Sequence, residues 1–161
     1  MKNNSLYFLI SFCIVLTLNT NLFSNELKIN STKIQYDNVN KVTILEGNVS
    51  SSDEKGNKIF SEYAKYNKLE KTIETKGDTK IITSGGYEIL SNNVVLNNKK
   101  NIIYSNNKTN ILDKDGNNIS VEMFNYSILT GVFFSKGNIE IKEINNKNYN
   151  FSEIYIDEKN K

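Results

Sequence analysis

The sequence predicts an all-β chain: a stack of antiparallel strand pairs, each pair bent near a glycine. Three observations predict it. A thirty-residue repeat runs through nearly all of the chain behind an apolar leader. Short alternations with a period of two recur inside each repeat. No helical period follows the leader, and turn-forming clusters separate the apolar stretches at regular intervals.

The leader comes first. Residues 1–24 read as a secretory signal peptide. Lys2 supplies the positive start, and Leu6 to Leu18 form an apolar stretch of 13 residues. That is short for a membrane-spanning helix, which needs about 20. Ser24 offers a small residue for cleavage. Ile10-Ser11-Phe12 before Cys13 does not resemble a lipoprotein box. The remainder, 25–161, is then one exported repeat domain.

The repeat is carried by columns thirty residues apart. Ile34, Ala64, Val94, Phe124 and Ile154 form one apolar column; Tyr36, Tyr66, Leu96, Tyr126 and Ile156 form a second, two residues on. Side chains two apart on a strand point the same way, so both columns are expected on the inside. Ile59, Ile89, Ile119 and Tyr149 form a third. Directly after the second column stand the turn-formers Asp37, Asn67, Asn97, Ser127 and Asp157.

Each repeat reads as two strands. Ile34-Gln-Tyr36, Ala64-Lys-Tyr66 and Ile139-Glu-Ile141 show the alternation of a half-buried strand. Asp53 to Asn57, Ser84 to Gly86, Asp113 to Asn117 and Asn145 to Asn148 are turns, with a glycine ladder at Gly56, Gly86 and Gly116 and Asn146 in the fourth place. Asn is the natural replacement where φ is positive. A second ladder, Gly47, Gly77 and Gly137 with Asn107 in register, lies inside apolar stretches. It reads as bends or bulges within long strands. Bent pairs in register enclose either a groove or a filled sandwich core; periodicity alone does not choose.

Composition removes several classes of function. The 161 residues include no His, and the single Cys lies in the leader. A Ser-His-Asp triad, an imidazole metal site, a disulfide and a thiol nucleophile are therefore excluded for the mature chain. No metal or other cofactor is expected. The net charge is +2, or +1 once Lys2 is removed. That leaves no basic field for nucleic acid; Lys99, Lys100 and Lys108 read as a solvated face. Abundant Asn produces glycosylation sequons at Asn48, Asn107, Asn118 and Asn125 without meaning.

Ile34-Gln-Tyr36-Asp37 followed by Lys41 to Val49, and Phe60 to Asn67 followed by Gly77-Asp78-Thr79, resemble the OstA-like repeat of the lipopolysaccharide transport family. The resemblance covers about residues 28–157. It implies a twisted, bent β-jelly roll, or β-taco, in the periplasm or at the outer membrane. The apolar columns would line a groove for the acyl chains of lipid A, and open edge strands would join other jelly-roll domains of the family by strand addition. The family includes LptA, the tethered LptC and the N-terminal domain of LptD. The segment from Phe124 to Asp157 is most similar to the last. In the repeat frame the fifth repeat lacks its second strand, so the chain is expected to continue beyond Lys161. Replacing Tyr66 or Phe124 with Asp is expected to weaken lipid loading.

Two other readings compete. One is a ligand-free structural or adhesive β-repeat protein at the cell surface. The other is a carbohydrate-active enzyme using two of Asp37, Asp53, Glu62 and Glu88, which requires two carboxylates facing each other across a cleft.

Overall fold

A computed structural model describes residues 28–158, so the leader lies outside the described residues. All described regular structure is antiparallel strand: β1 (Lys28–Asn30), β2 (Lys33–Asp37), β3 (Val42–Ser52), β4 (Lys58–Asn67), β5 (Thr72–Thr75), β6 (Asp78–Ile82), β7 (Glu88–Asn92), β8 (Val95–Asn97), β9 (Ile102–Ser105), β10 (Thr109–Leu112), β11 (Asn118–Val121), β12 (Phe124–Ser127), β13 (Val132–Lys142) and β14 (Asn148–Asp157).

One continuous sheet folds into two limbs. The first runs β2, β3, β4, β5, β8, β9, β12, β13, β14. The second runs β1, β3, β4, β6, β7, β10, β11, β13, β14. The four long strands β3, β4, β13 and β14 belong to both, so they must bend. The bend is a register shift between Glu46 and Val49 in β3 and between Lys136 and Ile139 in β13.

The glycines explain where the chain can turn. Gly47 and Gly137 sit in those two bulges with φ of 73° and 115°, a region closed to most side chains. Gly77 (φ 79°) differs: it separates β5 from β6 rather than bending one strand. The central repeats accordingly break each expected strand in two. Asn107 does not take a positive φ; its side-chain amide instead donates to the carbonyl of Asn92 at 3.0 Å. In the hairpin turns, Gly56, Gly86 and Gly116 have φ of 92°, 87° and 87°, and Asn146 follows at 65°. Two of these turns are wired alike. Asp53 accepts from the amides of Lys55 and Asn57 and from the Asn57 side chain, and Asp113 does the same for Asp115 and Asn117.

The core lies between the limbs. One row of cross-strand neighbours in the first limb is Tyr36, Thr43, Tyr66, Ile73, Leu96, Ile103, Tyr126, Phe133 and Ile156. In the second limb the matching row is Ile29, Ser51, Ile59, Ile81, Ile89, Ile111, Ile119, Ile141 and Tyr149. A single hydrophobic cluster draws on both rows.

Candidate functional site

The inner lining is built from strand alternation. The third apolar column of the sequence supplies every second member of the isoleucine row. Between its members stand Ser51, Ile81, Ile111 and Ile141, themselves thirty residues apart. The second column is likewise interleaved by Thr43, Ile73, Ile103 and Phe133. These positions keep the same thirty-residue period and lie on the partner strand of each pair.

The ten residues of the two inward columns do not share one environment. Ala64, Val94, Leu96, Phe124 and Tyr126 are buried, and Tyr66, Ile154 and Ile156 are half-buried against the core. Ile34 and Tyr36 lie on the same inner rows yet are 62 % and 57 % exposed. The reason is position: β2 has only β3 beside it, so these side chains stand at the open end of the stack. Large apolar side chains of the inner face are exposed on the other terminal strand too, at Tyr149 and Phe151 of β14. Within the first limb, the Phe124 and Phe133 rings of the neighbouring strands β12 and β13 stack at 5.9 Å.

Nearer the bend the lining becomes hydroxylic. Thr79 donates to Thr75 at 2.7 Å, Ser91 and Thr109 share a bond of 2.7 Å, and Ser105 and Ser135 donate to the carbonyls of Asn92 and Met123. Bending a sheet removes ladder partners from backbone groups, and small hydroxyls replace them. Thr75, Ser105 and Ser135 are again one thirty-residue column. Ser51 is the exception: its hydroxyl is buried without a hydrogen-bond partner.

On the side away from the bend, the limbs meet again. Glu158, just after β14, accepts a hydrogen bond from Tyr126 Oη at 2.7 Å and one from Thr83 Oγ1 of the second limb at 2.7 Å. Lys55 Nζ of the second limb donates to the carbonyl of Ile128 in the first at 3.0 Å. Burial, then the Glu158 carboxylate, pushes the Tyr126 hydroxyl well above the ordinary tyrosine value.

The carboxylates considered for catalysis are held elsewhere. Asp37 and Asp53 cap their own turns, and hydrogen bonding to Asn40 lowers the Asp37 pKa. Glu62 accepts from the amide of Asn48, and Glu88 pairs with Lys80 at 2.7 Å. A surface groove of about 670 Å³ is lined by Asn48, Phe60, Glu62, Lys80, Leu90 and Lys108 among others, on the outer face of the second limb. None of the ten residues of the two inward columns lines it.

Two bent, nine-strand limbs closed over one shared apolar lining define a β-jelly roll. A solved protein has this fold: LptH, the LptA homologous periplasmic component of the conserved lipopolysaccharide transport device from Pseudomonas aeruginosa. Its crystal structure matches with a TM-score of 0.60 over 70 % of this chain and 82 % of that chain, at 10 % identity. The chain is thus an LptA-like β-jelly roll in fold. No family profile and no curated protein sequence matches it.

Proposed function

We propose that this chain is a periplasmic lipopolysaccharide transport component that shields acyl chains between its two limbs, and not an enzyme. One observation carries the reading: the inner apolar rows run the whole length of both limbs and end, at both terminal strands, in apolar side chains open to solvent. Each methylene kept from water is worth ~0.8 kcal/mol, so a chain of about a dozen methylenes gains on the order of 10 kcal/mol from such a lining. The half-buried Tyr66, Ile154 and Ile156 are the side chains an entering acyl chain would meet first; Ile34 and Tyr36 would be covered once a neighbouring domain adds a strand beside β2. Lipid A acyl chains, other jelly-roll domains of the same transport system and the outer membrane are the partners this reading implies. The buried part of the lining is closed in this state, so acyl chains must part the two faces.

In its finer form the proposal has two members, a free-standing LptA-like protein and the N-terminal domain of an LptD. The full reading frame decides between them: a downstream barrel means LptD, a nearby stop means LptA. The packed middle of the molecule also favours, as a second reading, a ligand-free adhesive β-repeat protein. Detergent-free titration with lipopolysaccharide separates the two. The conduit reading expects saturable binding that weakens at least about tenfold in Tyr66→Asp; absence of binding by the wild-type protein leaves the adhesive reading.

A further inference from the structure

The repeat is broken at three places that the fold brings together. In the turns of the second limb, Asp53, Asp113 and Glu143 stand where the second turn has Thr83. Two residues on, Lys55, Asp115 and Asn145 stand where the second turn has Gly85. In the frame of the first limb, Asn38, Lys68, Asn98 and Ile128 precede a fifth copy that has Glu158. Thr83, Gly85 and Glu158 meet at one point. The Glu158 carboxylate takes the Thr83 hydroxyl at 2.7 Å. A Cβ built on Gly85 would stand 2.6 Å from the Glu158 carboxyl carbon and 3.0 Å from its Cβ, closer than real side chains tolerate. An acid at 83 would repel the carboxylate, and any side chain at 85 would displace it. Thr83 and Gly85 therefore both make room for Glu158, and Tyr126 Oη completes its cradle from inside the core.

We propose that Glu158 is a strap that holds the free rims of the two limbs together, and that it releases to admit an acyl chain sideways into the apolar lining. The inference rests on the transport reading above. The strap joins the limbs on the side opposite the bend, where no backbone connects them; Lys55 and the Ile128 carbonyl form a second tie on the same side. Releasing the Glu158 side chain breaks two charge-assisted hydrogen bonds and disturbs no strand pairing, since the Glu158 amide stays bonded to the Gly131 carbonyl at 3.0 Å and the last paired residue is Asp157.

The test is a lock. The Cβ separation of 3.0 Å at Gly85 and Glu158 is about half an ångström short of the 3.5–4.5 Å a disulfide needs, so Gly85→Cys with Glu158→Cys, in a full-length Cys13→Ser chain, closes the rims reversibly. Loading of dansyl-labelled dodecanoic acid is followed by fluorescence before and after reduction of the same sample. The expected result is loading by the reduced protein and a rate at least tenfold lower in the oxidised one. Equal rates in the two states, with the disulfide verified by mass, would overturn the strap. If neither state nor the wild-type chain takes up the probe, the transport reading itself falls, and the strap with it. Glu158→Ala gives an independent measure: it is expected to load about tenfold faster than wild type, and an unchanged rate counts against the proposal.

Discussion

Ile89 and Leu90 are neighbours in β7 that point to opposite faces, and this contrast tests the register on which everything else depends. Ile89 is 1 % exposed and lies in the isoleucine row between Ile81 and Ile111. Leu90 is 47 % exposed on the outer face, opposite Lys80 and Asn110. Ile89→Ala removes the equivalent of three methylenes, ~2.4 kcal/mol of transfer free energy at ~0.8 each. Ile81 and Ile111 are held in their own strands and cannot collapse into the space, which adds a cavity term and brings the loss to about 3–4 kcal/mol. Leu90→Ala forfeits at most the half of its surface that is covered, about 1 kcal/mol or less. Urea unfolding followed by far-ultraviolet circular dichroism reads both. At a slope of ~2 kcal/mol per molar urea, the Ile89 midpoint falls by roughly 1.5–2 M and the Leu90 midpoint by no more than ~0.5 M. A Leu90→Ala loss equal to that of Ile89→Ala would refute the register, since a slip of one residue exchanges the two faces.

Four further outcomes follow from the same geometry. Phe124→Asp buries a charge at a site with no exposure and is expected to abolish the cooperative unfolding transition, whereas Tyr66→Asp stays folded; only the latter variant can report on lipid loading, and a folded Phe124→Asp by circular dichroism would contradict the packing. Ser51→Ala removes a buried hydroxyl that has no partner and raises stability by about 1 kcal/mol in urea titration; a loss of stability would mean that the hydroxyl is bonded. The raised pKa of Tyr126 means the folded state resists its ionisation. Its contribution is therefore intact below the unfolded value of about 10 and declines as pH rises above it. The stability difference between wild type and Tyr126→Phe should shrink between pH 9 and 11, and a constant difference would contradict the shift. Gly56→Ala places a Cβ at φ 92° with nothing nearby to strike, so the ~1–2 kcal/mol loss expected from thermal unfolding is backbone strain alone.

Much of this was legible because the chain repeats. The columns through Ala64, Leu96 and Tyr126 identify inner rows, and the substitution of Asn146 for glycine correctly marks a positive φ. Other features were hidden for definite reasons. Lys41, Lys71, Asn101 and Gly131 all take positive φ at thirty-residue spacing, but two lysines do not announce a left-handed turn as glycine does. Exposure at Ile34 and Tyr36 comes from the end of the stack, a property of neighbours that no single column contains. Bending at Gly77 by strand interruption, against bulging at Gly47 and Gly137, depends on whether the flanking residues keep one partner strand or exchange it: β4 pairs with both β5 and β6. Thr83, Gly85 and Glu158 depart from the repeat at separate places in the chain; only the closure of one limb on the other brings the three irregularities into contact.

Because each thirty-residue unit adds two strands to each limb, the molecule is graduated. Neighbouring strands lie ~4.8 Å apart, so one unit lengthens the stack by about 10 Å and leaves the direction of the terminal strand unchanged. Excising or duplicating thirty residues from the middle would thus alter the distance the protein spans while both of its ends kept their chemistry, making span a quantity that a change in gene length can adjust in fixed steps.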